Sequence, residues 1–297
     1  RTMPQRITFW SDGLELVGYL HMPNEIAAGQ RRPAVHVCHG FGASQDRVLP
    51  EVAQHLAEQG YIALTIDYRS FGESPGPRWR MIPQEQVQDI RNAMTYLETL
   101  EQVDRHAIGL WGTSFGGANV AYVAGVDARV ACTVSVVAVG NGERWIRSLR
   151  RAWEWRDLKR ELEEDRRAQV ITGSSRMVDR TYLMLPDPAS ERAIKATLEL
   201  FPDMCRQIPL ETARAVIDFR PDEVVHRISP RPILFIVAGN DGLVLNELTR
   251  ELYDLAGEPK KWLVLPGLEH YETYAPEHLP KTLAASAEWF QQWLPVP

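Results

Sequence analysis

The chain runs to 297 residues, long enough to bury a large core, and carries a formal net charge of −6. It has no block of Lys and Arg of the kind that tracks a phosphate backbone, so a nucleic-acid partner is not expected, and no apolar run reaches the roughly 18 residues of a membrane helix. The three cysteines, Cys38, Cys132 and Cys205, are odd in number and widely spaced, which argues against a disulfide framework or a zinc site; a cytoplasmic setting without a metal is the expectation.

Residues 1–6 lead straight into a strand pattern, with no apolar run resembling a secretory leader. Residues 6–10 and 14–22 read as an antiparallel hairpin joined at Asp12-Gly13. Pro33 is followed by Ala-Val-His-Val-Cys, a short buried strand. Residues 48–59 repeat at helical spacing and Gly60 stops them. Residues 61–66 read as a strand, and 84–100 as a helix with Val87, Ile90, Met94 and Leu97 on one face. A strand over 106–111, a helix of small residues over 115–125 and a strand over 132–139 follow. Such alternation implies parallel units in a sheet covered on both faces.

The rhythm then breaks. Residues 143–220 are charged and helical in pattern, with no β-run; Trp145, Leu149, Ala152, Trp153 and Arg156 fall at helical spacing, and Trp155 adds a further aromatic. Alternation resumes with a strand over 232–238, a helix over 246–256, a strand over 261–265 and a final helix over 280–293. The expectation is an α/β core formed by 1–142 and 221–297, with 143–220 inserted as a helical cap.

Gly112-Thr-Ser-Phe-Gly116 lies between the strand over 106–111 and the helix after it. The order strand, Gly-x-Ser-x-Gly, helix describes a sharp turn that lifts a serine above a sheet, with a helix N-terminus aimed at it. Ser114 is thus the candidate nucleophile. A serine hydroxyl needs a base, and the base needs an orienting acid. His270 follows the strand over 261–265, in Pro-Gly-Leu-Glu-His, and Asp241 follows the strand over 232–238. Glu143, after the strand over 132–139, is the rival acid; Asp67 precedes Ser114 and is read as a brace for the loop over 68–74. His39-Gly-Phe-Gly42 closes the strand after Pro33. The backbone N–H groups of Phe41 and Phe115 are the expected oxyanion donors, with His39 as a brace for its loop. Tyr68 and Trp145 are candidates to line a substrate pocket.

This ordered set resembles the α/β-hydrolase superfamily over essentially the whole chain. More narrowly it is similar to bacterial hydrolases near the dienelactone hydrolases, acetyl-xylan esterases and prolyl-peptidase catalytic domains. The resemblance implies the α/β-hydrolase fold, a mostly parallel sheet covered by helices, and a triad of Ser114, Asp241 and His270. It departs from dienelactone hydrolases, whose nucleophile is cysteine, and from His-Gly-Gly-Gly lipases, since Phe41 stands where a glycine would be. The expected activity is hydrolysis of a small or medium carboxylic ester through an acyl-enzyme, without metal or organic cofactor. A thioester, lactone, amide or activated C–C bond is the alternative, as is a ligand receptor that keeps the triad. The expected partner is a small-molecule substrate, and a homodimer is left open.

Overall fold

The computed structural model describes residues 2–297. An antiparallel hairpin of β1 (Gln5–Ser11) and β2 (Leu14–His21) opens the chain, turning at Asp12 and Gly13, both at positive φ. Next come β3 (Arg32–Cys38), α1 (Leu49–Glu58), β4 (Ile62–Ile66), α2 (Pro83–Glu98), β5 (Val103–Thr113), α3 (Phe115–Val126) and β6 (Val130–Val136). Gly60 takes φ 98° just past α1 and ends it, as a residue without Cβ allows. Between β6 and β9, the segment expected as the insertion holds α4 (Gly142–Ser148), α5 (Ala152–Thr172), β7 (Met177–Asp179), α6 (Arg180–Leu183), α7 (Pro188–Leu200), β8 (Gln207–Pro209) and α8 (Leu210–Ile217). The core closes with β9 (Ile233–Ala238), α9 (Asn246–Leu255), β10 (Lys260–Leu265) and α10 (Leu279–Trp293).

Eight strands form one sheet in the order β1-β2-β4-β3-β5-β6-β9-β10. β2 pairs antiparallel with β1 and β4, and every other neighbouring pair is parallel. Every residue of β4 and β9 is buried, because helices cover both faces and remove the alternation a one-sided sheet would show. On one face Val35, Val37, Trp111, Val134 and Ile236 pack on α1 and α10 through Leu49, Val52, Leu56 and Phe290. On the other, Leu64, Ile108, Leu110 and Phe235 pack with Ile90 and Met94 of α2, Val120 and Val123 of α3, and the insertion's Trp145 and Leu158. This is the α/β-hydrolase fold. The loops after β3, β5, β9 and β10 leave the sheet at its C-terminal edge, where parallel sheets hold their sites.

Two features of the insertion correct the sequence reading. It is not purely helical: β7 and β8 pair antiparallel as a two-stranded ribbon. Strands of three residues are too short to show a period-2 pattern. Nor does one apolar stripe run from Trp145 to Arg156. The helix ends at Ser148 and restarts at Ala152, which resets the phase. Trp145 on α4 is buried, Trp153 on α5 is 53% exposed, and α5 buries Trp155, Leu158 and Leu162 instead. Asn141 caps α4 by accepting from the Arg144 N–H, and Asp187 caps α7 by accepting from the Ala189 and Ser190 N–H groups.

Candidate active site

Ser114 is the residue between β5 and α3, with φ 57° and ψ −121°. A non-glycine residue held there stores about 1–3 kcal/mol of strain. The surroundings enforce it. The Ser114 N–H donates to the Val136 carbonyl at 2.8 Å, tying the turn to β6. A Cβ on Gly116 would lie 2.5 Å from the His39 carbonyl oxygen and 2.6 Å from that of Cys38, so only glycine lets α3 start against the end of β3.

The strain places the hydroxyl next to a base. Ser114 Oγ lies 3.0 Å from His270 Nε2, and His270 Nδ1 lies 2.7 Å from Asp241 Oδ2. The other carboxylate oxygen of Asp241 accepts from the N–H groups of Leu243 at 2.9 Å and Val244 at 2.8 Å. With the carboxylate fixed by these donors, the Nδ1 proton faces Oδ2 and Nε2 is left to accept from the serine. Ser114 is 9% exposed and His270 1%. The His270 ring is flanked edge-on by Tyr271 and Tyr274, whose ring centroids are 5.1 and 6.3 Å away. The Tyr274 hydroxyl is 2.6 Å from the Thr113 hydroxyl, one residue before Ser114. Burial pushes both tyrosine pKa values above the ordinary range, so both rings stay neutral around the imidazole.

The loop after β3 packs directly on this turn. A Cβ on Gly40 would meet Ser114 Cβ at 3.2 Å and Phe115 N at 3.6 Å. Phe115 is the first residue of α3, so its N–H has no intrahelical acceptor and is available to a ligand. The rings of Phe41 and Phe115 stand 6.3 Å apart, and Trp145 sits 5.9 Å from each. The Trp145 indole N–H donates to the Leu243 carbonyl at 3.0 Å, two residues after Asp241. The insertion thus touches the acid loop and the side chains of both candidate oxyanion residues.

Residues 29–274 match the family described as serine aminopeptidase, S33. The chain belongs to that family. It is therefore an enzyme of the α/β-hydrolase class, a serine hydrolase. It is 31% identical over 265 residues to an uncharacterized 31.7 kDa protein in the traX-finO intergenic region of Escherichia coli, covering 89% of this chain and 92% of that one. It is 27% identical over 278 residues to thiohydrolase aneE of Aspergillus aculeatus, covering 88% of this chain and 82% of the relative. The crystal structure of α/β hydrolase GrgF from Penicillium superposes with a TM-score of 0.83 at 22% identity, covering 99% of both chains, a likeness of fold.

In this hydrolase the remaining candidates fall into place by contact. Tyr68 is fully buried in the core, its ring edge-on to His39 at 4.4 Å and its hydroxyl 3.4 Å from Asn119 Nδ2. His39 Nδ1 is 3.2 Å from the Gly40 carbonyl, and burial lowers its pKa, so the ring is a neutral brace. Asp67 accepts from the Gln45 N–H and side-chain amide and from the Glu73 N–H, which ties down the loop over 68–74. Glu143 is exposed on α4, whereas Asp241 is the carboxylate in contact with His270. Thr113, Tyr274 and the N–H groups on Asp241 escaped the sequence reading; Tyr271 and Tyr274, one and four positions after His270, were the available signal. Among the described residues no cluster of three His, Cys, Asp or Glu is placed to hold a metal ion, and no helix is long and apolar enough to cross a membrane.

Proposed function

We propose that this enzyme cleaves a small or medium carboxylic ester through an acyl-enzyme on Ser114. The observation that carries the reading is the continuous chain Asp241–His270–Ser114, with contacts of 2.7 and 3.0 Å, on a strained turn packed against the loop after β3. Ser114 Oγ attacks the carbonyl carbon, and His270 Nε2 takes its proton. Asp241 holds the imidazole and stabilises its charge. The N–H groups of Phe41 and Phe115 receive the oxyanion; one such donor is worth about 3–4 kcal/mol of barrier. His270 then returns the proton to the departing alcohol, and water attacks the acyl-enzyme by the same route.

Residues 143–220 act in this reading as a cap. The burial of Ser114 and the aromatic group Phe41, Phe115 and Trp145 support a site that holds an apolar acyl group away from water. A thioester substrate is the second reading, and the likeness to thiohydrolase aneE is what favours it. A panel of p-nitrophenyl esters of rising chain length, run beside matched acyl thioesters, tests both. Faster ester turnover supports the first reading. Faster thioester turnover moves the substrate to the second. Lack of turnover with Ser114 unreactive to a fluorophosphonate would sink the acyl-enzyme mechanism.

A further inference from the structure

Arg180 opens α6, the short helix that follows β7. Its side chain leaves the insertion and enters the core, and the residue is 4% exposed. Nη2 donates to the Phe41 carbonyl at 2.9 Å; Nη1 donates to the Gly42 carbonyl at 3.2 Å and the Cys205 carbonyl at 3.4 Å. Its guanidinium also lies 5.9 Å from the centroid of the Phe41 ring. Among the described residues no carboxylate pairs with it within 4.0 Å. Burying a cation without an acid is expensive, and arginine's planar fork is suited to binding adjacent acceptors at once. Two of its three acceptors belong to the loop after β3.

That loop needs an external hold. Phe41 is flanked by Gly40 and Gly42, and Gly42 takes φ 59°. Two glycines leave the peptide groups on either side of Phe41 free to turn. The space above Gly42 is filled by Arg180: a Cβ there would meet Nη1 at 3.2 Å. Phe41 is then gripped twice from the insertion, at its carbonyl by Arg180 and at its ring by Trp145. With the carbonyl and ring held, the Phe41 Cα and its bond to nitrogen are held too, which narrows where the N–H can point.

We propose that Arg180 is a positioning residue for the oxyanion hole: from the insertion, it sets the Phe41 N–H through the Phe41 and Gly42 carbonyls. The inference rests on the acyl-enzyme reading above. It also explains why the insertion sends a cation into the core at this point, where an apolar side chain would suffice for packing alone.

The test compares wild type with Arg180→Ala and Arg180→Lys on one p-nitrophenyl ester. Misplacing an oxyanion donor should lower kcat by about 10- to 1000-fold, with KM within about threefold. Affinity for a trifluoromethyl ketone, which forms an oxyanion on Ser114, should fall in step with kcat. Methylguanidinium at millimolar concentration should restore part of the Arg180→Ala rate, and equal sodium chloride should not. Arg180→Lys, which can meet fewer carbonyls, should fall between the two. Unchanged kcat, or a rise in KM with kcat kept, overturns the proposal. So does a kcat loss without a matching loss of ketone affinity. If circular dichroism shows Arg180→Ala unfolded, Arg180→Lys carries the same comparison of kcat, KM and ketone affinity. Fluorophosphonate labelling of wild type separates the two claims. An unlabelled Ser114 defeats the acyl-enzyme reading, whereas a labelled Ser114 with kcat kept in the variants defeats the role of Arg180 alone.

Discussion

Ser114 and His270, 156 positions apart in the chain, meet at 3.0 Å between Oγ and Nε2. Neither is placed by local sequence alone. The serine is raised by the turn between β5 and α3. The histidine is brought over it by β10 at the far edge of the sheet, four strands from β3. The contact therefore depends on the whole sheet being assembled in order.

The first prediction concerns the nucleophile. Ser114→Ala removes only an oxygen, and the strained φ of 57° must still be held by the surrounding turn. Turnover should fall by about 3–6 orders of magnitude while the far-ultraviolet spectrum and melting temperature stay near wild type. A fluorophosphonate should label Ser114, located by peptide mass spectrometry. Labelling at a different serine would remove the assignment.

The second concerns the acid. Asp241 accepts two backbone N–H groups and faces the histidine, all with short contacts, while Glu143 is exposed. Asp241→Asn offers an amide where a charged acceptor stood and favours the wrong imidazole tautomer. The expected loss is about 10²–10⁴-fold in kcat. Glu143→Gln should leave kcat within about twofold, as a change on the solvent side of α4 would. The opposite ranking in steady-state kinetics would transfer the acid to Glu143.

What the sequence made legible was what repeats or punctuates. Buried strands such as β9 read as apolar runs, Asp12-Gly13 marked a hairpin, and Gly112, Ser114 and Gly116 marked the elbow. Asp241 and His270 were legible because each follows a strand in the order the chemistry needs. The insertion was less legible. Its ribbon rests on two three-residue strands, and its first helical pattern hid a break at 149–151 that turns Trp153 to solvent. Tyr68 looked like a pocket residue because its loop follows a strand beneath the expected cap, yet its neighbours His39 and Asn119 enclose it. Contacts such as Arg180 to Phe41, 139 positions apart, have no sequence signature.

The third prediction concerns acid stability. Asp127, just past α3, is buried, which alone would raise its pKa. Hydrogen bonds from Arg129 and an ion pair with Arg91 outweigh this and hold it at about 2. A carboxylate depressed in the folded state stabilises the fold above its unfolded value, near 3.8, and loses that stabilisation as pH falls toward 2. Asp127→Asn should therefore lower unfolding free energy at pH 7 by about 1 kcal/mol, since the partly exposed arginines that hold the carboxylate are screened by solvent. Urea titrations should show this gap holding at pH 5 and closing between about pH 4 and pH 2. A gap that does not change with pH would show that the carboxylate charge contributes nothing.

The fourth prediction is that Trp145 helps select the acyl group. Its ring meets both Phe41 and Phe115, the residues proposed to receive the oxyanion, and its N–H is satisfied by the Leu243 carbonyl. Removing the whole ring would leave a large cavity and cost about 3–5 kcal/mol of stability, so Trp145→Ala is a poor probe. Trp145→Phe keeps an apolar ring with less volume and gives up one hydrogen bond, a loss of about 1 kcal/mol. The freed space lies beside the candidate acyl site, so longer esters should gain. The ratio of kcat/KM for a longer to a shorter p-nitrophenyl ester should rise by about 5- to 50-fold, because each added methylene that finds apolar contact is worth close to 0.8 kcal/mol. The rate of labelling by a small fluorophosphonate should stay within about threefold, since a smaller aromatic ring still backs Phe41 and the Arg180 hold on the Phe41 carbonyl is untouched. Trp153→Ala, on the exposed face of the next helix, should leave the ester ranking as in wild type. A ranking that stays fixed in Trp145→Phe would mean that Trp145 only fastens the insertion to the core. A ranking that shifts equally in Trp153→Ala would mean that the effect spreads through the insertion as a whole and does not come from contact at the site.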